Sequence, residues 1–131
     1  IGDPVNVAAR LEGLNKMFGT RILVSEEIEG RLGGEFHTRK LGRFRVKGRK
    51  EPTAVFELVG PVAEIEEPEW SEVYAQGVAA LEGDDFEEAR QCFEKVDRMR
   101  GTGGDGPSRF YLKLLERGEP IRQGVYDMTS K

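Results

Sequence analysis

Val7, Leu11, Leu14 and Phe18 fall three or four residues apart, the repeat that lines one face of an α-helix. Asp3 before Pro4 is a strong helix start, because the carboxylate caps an orphan N–H and proline at the first turn gives up an N–H that has no partner there. The pattern predicts a helix over 4–18, with Gly19 at its left-handed end. Arg21-Ile22-Leu23-Val24 reads as a short buried strand, and Ser25 caps a brief helix over 26–32 that stops at Gly33-Gly34. Residues 36–46 alternate as extended chain with a bulge or bend at Gly42. Residues 48–52 turn, and 53–59 form the last strand of this unit. Helix, strand, helix, strand, strand, with the helices on one face of an antiparallel or mixed sheet, is an α+β arrangement.

After residue 59 the pattern changes. Residues 60–70 carry Pro61, Pro68 and four glutamates, the composition of an acidic linker or hinge. Two helical stretches follow, 71–81 and 85–99, broken by Glu82-Gly83-Asp84. Tyr74, Gly77, Ala80, Phe86, Ala89 and Phe93 alternate aromatic and small residues in the manner of one tetratricopeptide repeat, in which small residues let two antiparallel helices approach. Gly77 and Ala89 are the small residues of that contact. Gly101–Gly106 reads as a flexible loop, and Phe110, Leu112, Leu114 and Leu115 mark a third amphipathic helix over 107–117. A single repeat cannot bury its own face, so these helices have to stack on something. The expectation is a small all-α bundle over 71–131, joined by a hinge that few contacts cross.

Composition sharpens this division. Of 131 residues, 37% are apolar and 34% charged, and no run approaches the roughly twenty apolar residues of a membrane span. Residues 1–60 hold 11 basic and 8 acidic side chains, whereas residues 61–131 hold 9 and 16, so a net charge of −4 divides into +3 and −7. A single cysteine, Cys92, excludes an internal disulfide and suits a reducing cytoplasm. Cys92 itself reads as a small core residue. His37, the one histidine, has no ligand-spaced partner and reads as a surface or packing residue. Gly103-Gly104-Asp105-Gly106 lacks the Lys-Ser/Thr of a phosphate loop.

Asn6 and Arg10 lie four apart and so project from one side of the first helix. Between Arg39 and Lys50 stand seven basic residues, which on a hairpin read as edge charges that keep the sheet soluble. With stacking aromatics limited to Phe36 and Phe44 and no nucleic-acid-binding motif, the run argues against a nucleic-acid partner and leaves it as a minor alternative.

The string Ile1-Gly2-Asp3-Pro4-Val5-Asn6-Val7-Ala8-Ala9-Arg10-Leu11-Glu12 resembles, without a gap, the helix-opening motif of class III nucleotidyl cyclases. Thr20–Ser25 resembles the short strand that follows it, Leu41–Gly48 the Leu-Gly-x-x-x-x-Lys-Gly hairpin, and Glu51–Leu58 the final strand. The resemblance covers residues 1–59, about the C-terminal third of a ferredoxin-like catalytic domain. It implies that Asn6 orients the ribose and that Arg10 stabilises the charge that builds when the 3′-hydroxyl attacks the α-phosphate. Lys47 then contacts the triphosphate of ATP or GTP. It further implies Mg2+ or Mn2+ in the parent enzyme, held by two aspartates that precede Ile1, and a homodimer with active sites shared between subunits. No metal ligand is expected in this segment, nor any membrane contact. The segment alone is expected to be inactive, and the parent to be cytoplasmic, with the option of an anchor upstream. Residues 71–131 resemble the tetratricopeptide-like helical extension of bacterial multidomain cyclases, except that Ile121–Tyr126 replaces a Trp-containing stretch. Two other readings stay open: a helical-repeat protein-binding module on a non-catalytic α+β scaffold, and a basic-hairpin nucleic-acid binder.

Overall fold

The computed structural model describes residues 18–20, 22–45 and 50–128. Among these, five strands form one mixed sheet: β1 (Leu23–Ser25), β2 (Phe36–Arg45), β3 (Thr53–Pro61), β4 (Ile121–Arg122) and β5 (Val125–Asp127), in the order β1-β3-β2-β5-β4. Among the described residues four helices accompany it: α1 (Glu26–Arg31), α2 (Trp70–Glu82), α3 (Phe86–Met99) and α4 (Gly106–Arg117). The α+β class read from the sequence is what the fold shows. The predicted helix over 4–18 lies outside the described residues except for Phe18.

Local signals account for most element ends. The Ser25 side chain accepts from the Ile28 N–H at 3.3 Å to start α1, Asp85 accepts from Glu88 to start α3, and α4 ends on Gly118 in the left-handed region. β2 and β3 pair antiparallel with a register shift between Lys40 and Gly42, so that Leu41 faces no partner residue on β3. This is the bulge expected at Gly42. The carbonyl of Leu41 accepts instead from the buried Tyr74 hydroxyl of α2 at 2.9 Å.

Two expectations are corrected. The segment after residue 70 is not all-α, because β5 pairs in parallel with β2 over Arg43–Arg45 and antiparallel with β4. The turn between β4 and β5 has positive φ at both Gln123 and Gly124, the backbone of a two-residue hairpin whose twist matches its strands. Nor do residues 60–70 divide the described structure into two units. β3 itself continues to Pro61, and the chain beyond it returns to the same sheet. Leu41, Phe44 and Val55 share one core with Tyr74, Phe93, Val96, Tyr111 and Tyr126. Rings connect the halves: Phe44 stacks on Tyr111 at 6.5 Å, Tyr111 on Phe93 at 5.1 Å, and Phe93 meets Tyr74 at 5.3 Å. The physical reason is the one that the helix pattern raised, since α2–α4 have an apolar face to bury and the sheet is where it goes.

At Gly77 an added Cβ would stand 2.7 Å from Phe93 Cε1 and 3.1 Å from Cys92 Cβ, so Gly77 sets how closely α2 and α3 approach. Gly77→Leu should overfill that contact and cost about 1–3 kcal/mol. Because Phe93 belongs to the ring stack that reaches β2, hydrogen exchange should speed up in β2–β3 as well as in the helices. Loss of protection confined to 71–117 would show instead that the helices unfold by themselves.

Tyr111 Oη is buried with no hydrogen-bond partner among the described residues, and it occupies the space that a Cβ of Gly42 would need. A hydroxyl desolvated without a partner costs about 1–3 kcal/mol. Tyr111→Phe keeps the ring stack and removes that cost, so thermal unfolding should show unchanged or raised stability. A clear loss would mean that the hydroxyl is hydrogen-bonded.

Candidate functional site

The three residues singled out by sequence, Asn6, Arg10 and Lys47, lie outside the described residues. What the structure shows is the frame on either side of them. Phe18, the last residue of the predicted first helix, is buried against Phe44 of β2 at 5.5 Å and Phe110 of α4 at 4.7 Å. β2 ends at Arg45, two residues before Lys47, and β3 begins at Thr53. The ends of both segments thus rest on one sheet and on the helices behind it.

The strongest polar feature of that frame is a buried ion cluster under β2. Arg39 was counted among the basic residues of a soluble edge, and that reading is corrected here, since its side chain is 2% exposed. Register decides this. Arg39 stands opposite Glu57 of β3, on the side of β2 that carries Leu41 into the core. Its Nε donates to Glu57 at 2.9 Å, and Nη1 donates to both carboxylate oxygens of Asp105 at 3.0 and 2.9 Å. Asp105 is fully buried and also caps α4, accepting from the Ser108 N–H at 3.1 Å and the Ser108 hydroxyl at 2.6 Å. Arg100 adds a second guanidinium to Asp105 at 3.0 Å. The Arg39 and Arg100 guanidiniums lie 4.3 and 4.4 Å from the centre of the Trp70 ring, and Arg39 lies 4.6 Å from that of Tyr74, within cation–π range.

Two cations meet two anions, so the cluster is neutral as a whole. Burial alone would lift the Asp105 carboxyl, but hydrogen bonds and attraction from Arg39, with Ser108 and Arg100 behind it, hold it below the usual carboxylate range. Burial likewise opposes the charge on Arg39 and is the largest single influence on it, but the Asp105 hydrogen bond together with the electrostatic effects of Tyr74, Asp105 and Glu57 outweighs it, so the guanidinium titrates above its ordinary value. The cluster is a fastening between sheet and helices. Asp105 went unnoticed because its neighbours Gly103, Gly104 and Gly106 read as loop, although Asp105-Gly106-Pro107-Ser108 is itself a capping signal.

The other residues assessed from sequence fall as follows. His37 is half-buried, its Nε2 3.0 Å from the Ile65 carbonyl. Cys92 is buried, and burial together with nearby Glu88 raises its thiol. Among the described residues no group of three or more His, Cys, Asp or Glu could hold a metal ion, and none of the described helices is long and apolar enough to cross a membrane. A depression of ≈ 580 Å³ at the end of β2 is lined by Arg43, Arg45, Arg122, Asp127 and neighbours. Three arginines against one carboxylate leave that end of the sheet basic.

No family model matches the chain, and no solved structure matches it. Half of the chain does resemble one class of protein, the adenylate cyclases. It is 42% identical over 62 residues to adenylate cyclase 1 of Rhizobium meliloti (strain 1021), covering 47% of this chain and 9% of that protein. It is 39% identical over 61 residues to the adenylate cyclase of Anabaena cylindrica, 44% of this chain and 12% of the relative. With the photoactivated adenylate cyclase subunit beta of Euglena gracilis it shares 34% over 68 residues, 50% of this chain and 8% of that protein. The chain thus matches about a tenth of the length of these relatives, and the similarity supports a cyclase domain within it.

Linkage predicts how the cluster answers to acid. The Asp105 carboxyl is depressed in the folded state, so its contribution to stability is complete above the unfolded value, about 4, and is lost as pH falls through the depressed folded value. Asp105→Ala removes the partner of a buried guanidinium and should cost about 3–5 kcal/mol at neutral pH. Its unfolding free energy should also fall less steeply below pH 4 than that of the native chain. Parallel acid profiles for the two proteins would mean that Asp105 is not ionised in the fold.

Proposed function

We propose that this chain is the C-terminal part of an adenylate cyclase catalytic domain with its helical extension. The parent enzyme forms 3′,5′-cyclic nucleotide and pyrophosphate from ATP. The observation that carries the reading is the similarity of 61–68 residues to proteins named adenylate cyclase, a length comparable with the 59 residues that hold the cyclase-like motifs. In this reading Asn6 orients the ribose, and Arg10 meets the negative charge that develops on the α-phosphate oxygens, where a guanidinium fork matches two oxygens at once. Lys47 binds the triphosphate, charged before and during reaction.

The described residues do not fit a divalent-cation site, so no step of this proposal passes through a metal. The Mg2+ or Mn2+ ligands are assigned to the part of the domain that comes before Asn6 in the family. The parent works in the cytoplasm as a homodimer with shared sites, and the isolated 131-residue chain turns over no ATP. Whether the parent prefers adenine is carried here by the relatives' names. The helices after residue 70 keep their likeness to a single tetratricopeptide unit as a proposal. The reading of those helices as a free-standing binding module is not favoured, because their apolar faces are spent on the sheet.

In the full-length protein, Arg10→Ala should lower kcat by about a hundredfold or more, with a much smaller change in KM, as expected for a group that acts where charge develops. Lys47→Ala should raise KM as well. Steady-state kinetics of cyclic nucleotide formation reads both. An unchanged kcat in Arg10→Ala would remove the assignment of Arg10, and absence of cyclic nucleotide from the full-length protein would remove the cyclase reading.

A further inference from the structure

We propose that the outer face of the sheet, where β2, β5 and β4 lie side by side, binds a phosphate-bearing anion between Arg43 and Arg122. The pairing register sets the site. Arg43 stands beside Val125 in the parallel β2–β5 pair, and Val125 stands opposite Arg122 in the antiparallel β5–β4 pair, so the three side chains share one row and one face. Phe44, Tyr126 and Ile121 form the adjacent row, and all three are buried in the core. That row meets the rings of α4, so the arginine row faces the other way. Arg45 and Asp127 pair on the same outer face, two residues along their strands.

These residues line the depression of ≈ 580 Å³ at the end of β2, a volume within the range of small-molecule sites. With neighbouring strands about 4.8 Å apart, Arg43 and Arg122 start roughly 10 Å from one another across Val125, and their long side chains can close on an anion above it. Among the described residues neither guanidinium has an ion-pair or hydrogen-bond partner. Arg45 differs, since it already donates to Asp127 at 3.3 Å and to the Lys50 carbonyl at 3.0 Å, and it forms a wall of the depression. Two unpaired guanidiniums on one row repel each other, and an anion between them turns that repulsion into attraction. The frame is set before a ligand arrives, which spares binding an ordering cost. Arg43 lies on a strand paired on both sides, and the turn that follows Arg122 is anchored where the Gln123 N–H donates to Asp84 Oδ1 at 2.9 Å.

Guanidinium chemistry selects the class of ligand. Among the described residues three arginines and no lysine line the depression. A planar fork grips two oxygens at once, so one fork satisfies the two oxygens of a carboxylate. A tetrahedral phosphate presents oxygens in several directions and can be held by forks from two strands together. The site thus suits a phosphate group, free or carried on a small molecule, better than an acidic peptide. The inference does not depend on the cyclase reading, in which Arg43, Arg122 and Asp127 have no role.

The test is amide exchange over residues 121–127 in the full-length protein, titrated with inorganic pyrophosphate and with ADP. Both should slow exchange there. The concentration that gives half of the effect should rise by about tenfold in Arg43→Gln and in Arg122→Gln, as for loss of a hydrogen bond to a charged group, with the melting temperature unchanged. Asp127→Asn removes the carboxylate from the depression and should lower that concentration a few fold, a gain that damage to the fold would not produce. Arg117→Gln, an exposed arginine on α4, should change nothing. A lower half-effect concentration for ADP than for pyrophosphate assigns the site to a phosphate carried on an organic body, and the reverse order to the free anion. No slowing at 121–127 would overturn the inference. So would an equal effect of Arg117→Gln, which marks a response to net charge alone, or equal slowing by a polyglutamate peptide, which marks an acidic-peptide surface. A response lost in Arg10→Ala but kept in Arg43→Gln would overturn it too, by placing the anion elsewhere. Failure of the full-length protein to make cyclic nucleotide would bear on the cyclase reading alone, because the exchange measurement does not require turnover.

Discussion

A guanidinium cannot shed its charge inside a protein, so the burial of Arg39 obliges the rest of the chain to supply anions. Glu57 comes with the hairpin, since the β2–β3 register sets it opposite Arg39. One carboxylate does not satisfy a fork of five N–H donors. The second, Asp105, arrives from 66 residues further along, and it is there only if α2, α3 and α4 have folded back under the sheet. Arg100 and Asp105 come from the same excursion of the chain, which brings the cluster to zero net charge. Pairing of this kind is a poor source of net stability compared with apolar packing. Its consequence is discrimination, because any arrangement of the helices that leaves Asp105 elsewhere strands a buried cation.

The bulge at Leu41 and Gly42 makes the apolar contact compatible with that fastening. An uninterrupted ladder would have committed the Leu41 carbonyl to β3, whereas the register shift releases it to the Tyr74 hydroxyl. A residue with a Cβ at position 42 would collide with Tyr111. The same two residues that break the strand therefore admit two tyrosines from two different helices. Those tyrosines lie on the ring stack that runs from Phe44 to Phe93.

The elements were largely legible in the sequence, whereas their assembly was not. The capping signal at Ser25, the helical repeats of 71–81 and 85–99, and the alternation of 36–46 are local, and local signals read well. Arg39 was misjudged because a basic run looks the same whether its members point outward or inward. Only the pairing register distinguishes them, and register is a long-range property. The hinge at 60–70 failed for a related reason. Its acidic, proline-bearing composition does describe the irregular segment after β3, but composition says nothing about where the chain goes next. Two-residue β4 and three-residue β5 are too short for periodicity to detect, although the Gln123-Gly124 turn was a visible hint. For the candidate site, Asn6, Arg10 and Lys47 rest on resemblance to a motif alone and lie outside the described residues.

The edge of the sheet explains why the tail has to end in strands at all. Without β5, the end of β2 would present a row of unpaired backbone groups beside the basic residues Arg43 and Arg45, a template for pairing with another chain. Charge on those side chains discourages such pairing but does not satisfy the backbone. The tail satisfies it: β5 pairs with Arg43–Arg45, and the Met128 N–H continues the contact by one more bond. β4 then becomes the new edge and is only two residues long, too short to recruit a partner strand. A helical segment that merely covered the core would have left the end of β2 open, so the small β4–β5 hairpin is the part of the tail that pairs it.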